Sequence, residues 1–197
     1  MAEERCRVDL LRHGRCAGGG HLLGRSDPDL LAEGWRQMAQ AVAGTVDWEC
    51  VLSSPLQRCR AFAAALAHRL GVPLRVDADW SELDFGAWEG RAAEELGADL
   101  ARFQADPERH PPPGGEPFAA ARARVLAAWQ RVLASGATRV LVVTHGGPIR
   151  ILLSELLGLP WARTWQLRID PGARSRLLVH PGPPPLVELV EHRGLAP

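Results

Sequence analysis

The last third of the chain carries an apolar run with breakers at both ends, Arg139-Val140-Leu141-Val142-Val143-Thr144. Gly136 precedes the run and Gly146 follows it. A short stretch that is continuously apolar and rich in β-branched residues is typical of a strand buried on both faces of a parallel sheet. Residues 148–158 then have the pattern of a helix. This part of the sequence therefore predicts a buried strand followed by a helix.

Strands and helices alternate along the rest of the chain. We predict strands near 6–11, 50–52, 73–77, 164–169, 176–180 and 186–190, and helices near 30–43, 56–70, 116–135 and 148–158. Such alternation predicts an α/β protein, a three-layer α/β/α sandwich with a mainly parallel central sheet. The length of 197 residues and the shortness of the breaker segments predict a single domain over residues 1–197.

Composition and charge argue against several classes of partner. The chain has 23 Lys and Arg and 23 Asp and Glu residues, whereas nucleic acids and anionic membranes are bound through an excess of positive charge. Residues 1–5 lack the apolar core of a signal peptide, and no stretch reaches the apolar length of a membrane span. The four cysteines form no Cys-x-x-Cys pair, so we expect a cytoplasmic protein with reduced thiols.

Candidate catalytic and anion-binding residues follow four of the predicted strands. They are Arg12-His13-Gly14, Ser53-Ser54-Pro55-Leu56-Gln57-Arg58, Glu82 in the loop after 73–77, and His145-Gly146-Gly147. In a parallel sheet, ligand sites gather at the carboxyl ends of the strands. We therefore expect these four loops to converge on one pocket.

The residue types in these loops fit the hydrolysis of a phosphate monoester. Arg12 and Arg58 each offer a planar guanidinium fork that binds two phosphate oxygens. A neutral His13 nitrogen is a competent nucleophile toward phosphorus and would hold the phosphoryl group as a phosphohistidine. The arginines supply the positive charge, so the reaction demands no metal and no cofactor.

The remaining candidates complete this chemistry. His145 would donate a hydrogen bond to a phosphoryl oxygen as charge develops there, and the backbone N–H groups of Gly146 and Gly147 would add anion contacts at a helix start. Glu82 would protonate the leaving alkoxide and then take a proton from the attacking water. Trp80 and Trp88 flank Glu82 and are expected to line the leaving-group side.

Each of these residues, taken singly, also fits a structural role. An arginine is more often a solvated charge, a histidine at a strand end a hydrogen-bonded core residue, and a loop carboxylate a group facing water. Ser54 and Pro55 also suit a helix N-cap and first turn. A cysteine nucleophile, Cys16 or Cys59, is a further alternative, although neither has a base paired with it in sequence. Their joint occurrence at strand ends favours the catalytic interpretation.

The four segments together resemble the histidine phosphatase superfamily, in its phosphoglycerate-mutase-like branch. The matching stretches are Leu11-Arg12-His13-Gly14, Ser53-Ser54-Pro55-Leu56-Gln57-Arg58, Glu82-Leu83-Asp84-Phe85-Gly86-Ala87-Trp88-Glu89-Gly90 and Thr144-His145-Gly146-Gly147-Pro148-Ile149-Arg150. The resemblance implies the family's α/β sandwich, His13 as the phosphorylated nucleophile and Glu82 as the proton donor. It also implies that Arg12, Arg58 and His145 form the phosphate pocket, as in a phosphoric monoester hydrolase of the histidine acid phosphatase type.

Within the family, the tail that begins Leu157-Gly158-Leu159-Pro160 is most similar to α-ribazole phosphatase, which acts in cobalamin synthesis. The chain departs from the usual family pattern in three places: Arg15 and Cys16 after His-Gly, Gly19 where Asn is frequent, and Cys59-Arg60-Ala61-Phe62 where Ala-x-x-Thr is usual. The loop that shapes the pocket is altered, so these departures bear on the substrate rather than on the reaction.

The sequence is therefore compatible with three functions. The first is a metal-independent phosphomonoesterase for a small metabolite, with α-ribazole 5′-phosphate as a candidate. The second is a phosphoglycerate-type mutase or a broad-specificity sugar phosphatase, and the short chain argues mildly against a mutase. The third is a non-catalytic phosphate-binding regulatory module, which the presence of His13 and Glu82 disfavours. The sequence leaves open the natural substrate and whether the chain forms a homodimer.

Overall fold

The computed structural model describes residues 6–44, 47–180 and 184–189. Within these ranges the strands are β1 (Cys6–Arg12), β2 (Cys50–Ser53), β3 (Leu74–Val76), β4 (Arg139–Thr144), β5 (Arg174–Val179) and β6 (Leu186–Leu189). They form one sheet in the order β3-β2-β4-β1-β5-β6. The strands β3, β2, β4 and β1 are parallel, whereas β5 is antiparallel to β1 and β6 is antiparallel to β5. The predicted, mainly parallel central sheet is confirmed.

Strand β4 lies at the centre of the sheet and coincides with the predicted strand 139–144. It pairs with β1 on one side and with β2 on the other. The side chains of residues 140–143 are fully buried and alternate between the two faces, with Val140 and Val142 in one apolar cluster and Leu141 and Val143 in the other. A strand that is apolar on both faces requires a layer of helices on each side.

Helices cover both faces of the sheet. They are α1 (Ala32–Ala41), α2 (Gln57–Leu70), α3 (Ala93–Ala105), α4 (Phe118–Leu133), α5 (Gly146–Leu157) and α6 (Trp161–Thr164). Helices α1 and α2 pack on one face through Met38 and Phe62, and α4 and α5 pack on the other through Val125 and Ile149. This arrangement is the predicted three-layer α/β/α sandwich. In the part of the chain that the structure describes, no helix is long and apolar enough to cross a membrane.

The segment 164–169 is not the strand that the sequence predicts. Helix α6 begins after Pro160, and the residues that follow it form irregular turns. The apolar residues here alternate as they would in a strand, but the carbonyls of Thr164 and Leu167 accept hydrogen bonds from the side chain of Arg150. The side chain of Arg150 therefore supplies the hydrogen-bond donors that a neighbouring strand would supply in a sheet.

Helix α3 has no counterpart among the predicted elements. Only Leu96 and Phe103 of its side chains are buried, and Gly97 interrupts it with a φ of 45°, so the sequence shows little helical periodicity. The other predicted elements differ from the observed ones only at their ends. Residue 190, at the end of the predicted strand 186–190, and residues 1–5 lie outside the described residues.

Candidate active site

The carboxyl ends of neighbouring parallel strands meet at one edge of the sheet, and the predicted site residues follow those ends. A cavity of about 270 Å³ opens at this edge. The predicted site residues on its wall are Arg12, His13, Arg58, Glu82, Gly146 and Gly147. His145 lies behind this wall, with its ring centroid 5.1 Å from that of His13. The fold therefore brings all seven predicted residues together.

His13 follows strand β1 and is held at one ring nitrogen. Its Nδ1 lies 2.8 Å from the carbonyl oxygen of Gly14. Because a carbonyl oxygen only accepts hydrogen bonds, this contact assigns the proton of the neutral ring to Nδ1. The Sγ of Cys16 also lies near this nitrogen, at 3.4 Å. Nε2 consequently keeps its lone pair, which is what a nucleophilic imidazole needs.

The surroundings of His13 keep its ring uncharged. Its side chain is almost completely buried. Burial lowers the pKa of His13 well below the ordinary value, and the positive charges of Arg12 and Arg58 lower this pKa further. The ring is therefore neutral near pH 7, the state in which an imidazole is nucleophilic.

Neutral backbone carbonyls orient both pocket arginines. Nη1 of Arg12 donates to the carbonyl oxygen of Ile169 at 2.6 Å. Arg58, in the first turn of α2, donates from Nη1 to Ser26 at 2.5 Å and from Nη2 to Gly24 at 2.7 Å. Among the described residues, the buried Nε of Arg12 and that of Arg58 have no hydrogen-bond partner.

Orientation by carbonyls has an electrostatic consequence. A carboxylate that bridged either guanidinium would neutralise its charge and compete with a phosphate for the fork. Asp27 forms an ion pair with Arg58, with Oδ1 3.6 Å from Nη1, which is too far for a hydrogen bond. In the part of the chain that the structure describes, the hydrogen bonds of both guanidinium groups thus go to neutral carbonyls, and Asp27 offsets part of the charge of Arg58.

His145 ends the β4 segment and stands at the N-terminus of α5. Its Nε2 lies 2.7 Å from the hydroxyl oxygen of Ser54, and the Sγ of Cys59 is 3.5 Å from the same nitrogen. Burial lowers the pKa of His145 well below its ordinary value, with a further lowering by His13 and Arg58. The prediction that Ser54 caps α2 is wrong, because the N-cap is Leu56 and no side chain caps it. The hydroxyl of Ser54 instead orients the ring of His145.

Glu82 is fixed through one of its carboxylate oxygens. Oε1 accepts hydrogen bonds from the backbone N–H of Leu83 at 2.9 Å and of Gly147 at 3.0 Å. A Cβ at position 147 would collide with this carboxylate, so glycine is required there. The Gly147 N–H therefore donates to Glu82, and its expected contact with a substrate anion stays a prediction.

Two further residues hold the loop that carries Glu82. The Arg124 side chain of α4 donates to the carbonyl oxygens of Asp79 at 2.8 Å, Ser81 at 2.7 Å and Glu82 at 3.0 Å. The hydroxyl of Thr144, at the end of β4, donates to the carbonyl oxygen of Trp80 at 2.6 Å. Neither role is visible in the sequence, because each depends on a contact between distant segments.

The outer wall of the cavity is mainly apolar and aromatic. It comprises Leu22, Leu23, Leu83, Phe85, Ala93, Leu100, Trp161 and Trp165, with His21, Gln104 and Arg150 as its polar members. The expectation that Trp80 and Trp88 line this side is wrong. Trp80 is fully buried, and the ring of Trp88 packs edge-on against Phe103 in the core.

Arg150 lines the cavity and is not among the residues predicted from the sequence. Its guanidinium lies over the ring of Trp165, 4.5 Å from the centroid, and donates to the carbonyl oxygens of Thr164 and Leu167. Burial lowers the pKa of Arg150 to about 10, and the charge of Arg12 contributes to this lowering. Its signal in the sequence is a single arginine within the apolar helix α5.

The alternative of a cysteine nucleophile finds no support in the geometry. Cys16 and Cys59 contact the two histidines but do not line the cavity. Burial raises the pKa of the Cys16 thiol and raises that of Cys59 well above the ordinary value. Both sulfurs are therefore held as thiols, which are poor nucleophiles. Among the described residues, no group of three or more His, Cys, Asp or Glu side chains is placed to hold a metal ion.

Known proteins with similar sequences include several phosphatases. A bifunctional protein of Mycobacterium tuberculosis is 37% identical over 180 residues, which are 83% of this chain and 48% of that protein. The chain thus spans about half the length of that relative. A glucosyl-3-phosphoglycerate phosphatase of Mycolicibacterium vanbaalenii is 34% identical, with 78% of this chain and 75% of the relative covered. The adenosylcobalamin/alpha-ribazole phosphatase of Escherichia coli is 28% identical, with 87% and 89% covered.

A solved structure and a family model also match this chain. The crystal structure of the alpha-ribazole phosphatase from Shigella flexneri superposes with a TM-score of 0.82 at 25% identity, covering 96% of this chain and 98% of that one. The model of the histidine phosphatase superfamily (branch 1) matches residues 8–192. The names of the family and of these relatives indicate a phosphatase. With this match over most of its length, the chain belongs to the histidine phosphatase superfamily, branch 1.

Proposed function

We propose that this chain, acting as a single domain, hydrolyses phosphate monoesters of small metabolites through a phosphohistidine on His13. The observation that carries the proposal is the state of His13, a buried neutral imidazole with its proton on Nδ1. Two guanidinium groups lie on the wall of the same cavity. A neutral nucleophile beside fixed positive charge suits attack on a phosphate dianion.

In the first step, His13 Nε2 attacks phosphorus while the bond from phosphorus to the ester oxygen breaks. Glu82 gives its proton to that oxygen, so the leaving group departs as a neutral alcohol. Arg12, Arg58 and His145 stabilise the charge on the transferring phosphoryl oxygens. The products of this step are the alcohol, a phosphorylated His13 and an ionised Glu82.

In the second step, water attacks the phosphorylated His13 and the N–P bond breaks. The Glu82 carboxylate takes a proton from this water, which restores its acid form and releases inorganic phosphate. No metal or cofactor takes part in either step. The hydrogen bonds from the backbone N–H groups of Leu83 and Gly147 hold one oxygen of Glu82. They fix the carboxyl group for proton transfer in both directions.

We further propose α-ribazole 5′-phosphate as a substrate, by analogy with the relatives of that name. The aromatic wall supports this choice, since Phe85, Trp161 and Trp165 suit a leaving group with a planar apolar ring. A small, highly polar leaving group such as glycerate, which 3-phosphoglycerate would release, would leave much of this wall without a matching contact. The same contrast disfavours the mutase.

The test is a hydrolysis assay on the whole chain, with and without a chelator. α-Ribazole 5′-phosphate, glucosyl-3-phosphoglycerate and 3-phosphoglycerate are compared by release of inorganic phosphate, and isomerisation of 3-phosphoglycerate is followed separately. We expect chelator-insensitive hydrolysis that His13→Ala abolishes and that His68→Ala, on an exposed position of α2, leaves intact. Hydrolysis that survives His13→Ala, or that requires an added metal, would refute the mechanism.

A further inference from the structure

We propose that Glu89 is a positioning residue that holds the phosphate-binding guanidinium of Arg58 in place through residues 24–27, here called the strap. Glu89 lies outside the cavity wall and follows the short helical turn Gly86–Trp88. The inference rests on the proposed function, since it assumes that Arg58 binds the phosphoryl group.

The carboxylate of Glu89 binds the outer side of the strap with both oxygens. Oε1 accepts the backbone N–H of Arg25 at 2.6 Å, and Oε2 accepts the backbone N–H of Ser26 at 2.7 Å and its hydroxyl at 2.5 Å. Burial raises the pKa of Glu89, but hydrogen bonds from Ser26 and Arg25 outweigh it and leave this pKa lowered. The group is therefore an ionised acceptor for three donors.

The inner side of the strap holds Arg58. The carbonyl oxygens of Gly24 and Ser26 accept hydrogen bonds from the two Nη atoms of this residue. Gly24 has a φ of 50°, and a Cβ at this position would collide with the carboxylate of Glu89. The strap therefore lies closely between one carboxylate and one guanidinium.

Arg58 depends on this arrangement for its orientation. Its side chain is completely buried, whereas residues 25–27 of the strap are exposed and have little packing to fix them. The far end of the strap is tied to α2, since Oδ2 of Asp27 accepts the backbone N–H of Gln57 at 2.7 Å. A second, longer contact at the other end is the ion pair between Arg25 and Glu116, at 3.8 Å. Without Glu89, this end would lose the three hydrogen bonds that fix the Gly24 and Ser26 carbonyls, and the guanidinium of Arg58 would lose its fixed orientation.

A double-mutant cycle with Glu89→Gln and Arg58→Ala tests the proposal. The readouts are kcat/KM for hydrolysis and the dissociation constant of vanadate, a phosphate analogue, measured by titration calorimetry. Gln keeps the size of the side chain but places an NH₂ group against N–H donors. We expect Glu89→Gln to weaken vanadate binding and kcat/KM by about tenfold in the native background, and by less than twofold when Arg58 is already Ala.

Two controls separate this role from general destabilisation. Glu95→Gln, on the exposed surface of α3, should leave both readouts unchanged. Ser26→Ala, which removes one of the three donors and keeps the carbonyl, should weaken vanadate binding by about twofold to threefold.

The outcomes distinguish the two claims. If Glu89→Gln has no effect on vanadate binding, or the same effect with and without Arg58, Glu89 does not act through Arg58 and the inference is wrong. If Arg58→Ala itself leaves vanadate binding unchanged, the proposed role of Arg58 fails, and this inference fails with it.

Discussion

The two halves of the cavity differ in how they are built. The inner half, with Arg12 at the end of β1 and His13 directly after it, lies at the edge of the sheet in front of the buried His145 and is rich in charge and hydrogen bonds. The outer half, with Trp161 and Trp165, comes from a short helix and irregular turns and is mainly apolar. On the proposed function, the reaction would depend on residues at the edge of the sheet, and the choice of substrate would depend on the apolar wall.

Removal of the nucleophile should give the largest effect, and it bears only on the inner half. We expect His13→Ala to lower kcat by on the order of 10⁴-fold or more, because the phosphoryl group loses its acceptor atom. Vanadate should still bind, since Arg12 and Arg58 remain. Steady-state hydrolysis and vanadate titration check both parts, and a fully active variant would place the chemistry elsewhere.

Loss of the proton donor should come next and should depend on the leaving group. Glu82→Gln is expected to lower kcat/KM for an alkyl phosphate by about 10²–10⁴-fold, the usual contribution of general acid catalysis. For p-nitrophenyl phosphate the loss should be much smaller, because p-nitrophenolate departs without a proton. Equal losses for both esters would show that Glu82 does not protonate the leaving group.

The contrast between the halves also explains what the sequence reveals. The run of β4 and the strand-end placement of His13, Arg58 and His145 follow from local patterns, since a short apolar run and the residue after it are contiguous. These patterns predict the sheet, its layers and the residues that meet at its edge. Glu82 is predicted less directly, because only its place in a loop after a strand points to the site.

The wall and the supports could not be predicted in the same way. Trp161 and Arg150 reach the cavity through helix packing, and Arg124 reaches the Glu82 loop from α4. An apolar residue near a loop carries no sequence signal that separates a cavity wall from a core. The sequence therefore does not distinguish Trp80 and Trp88, which lie in the core, from Trp161 and Trp165, which line the cavity. The alternating apolar residues of the segment 164–169 predict a strand, but no strand forms there because Arg150 binds its carbonyl oxygens.

Truncation in the outer half should change the choice of substrate but not phosphate binding. We expect Trp165→Ala to lower kcat/KM for α-ribazole 5′-phosphate by about tenfold, from the loss of ring contact. The dissociation constant of vanadate should change by less than twofold. Trp35→Ala, at a surface-exposed tryptophan, is the matched control. A parallel loss of vanadate affinity would mean that the two halves are not separable.

The smallest expected effect is on the pH range over which the His13 ring of the ligand-free protein stays neutral. Because burial and the two arginines lower the pKa of His13, its ring should stay neutral as the pH falls below the ordinary value of about 6.5. It should gain a proton only at lower pH, where activity is then lost. The Cε1–H signal in NMR titration, assigned with His13→Ala, reports this directly. A midpoint at or above the ordinary value would contradict the electrostatic account of the inner half.

The measurement closest to the central claim is capture of the covalent intermediate. The protein is mixed with a rapidly turned-over phosphate monoester, quenched in alkali, where an N–P bond survives, and mapped by tandem mass spectrometry. We predict phosphate on His13, acid-labile and absent from His13→Ala. Continued hydrolysis with no phosphorylated protein at any quench time, or phosphate on a different side chain, would contradict the account.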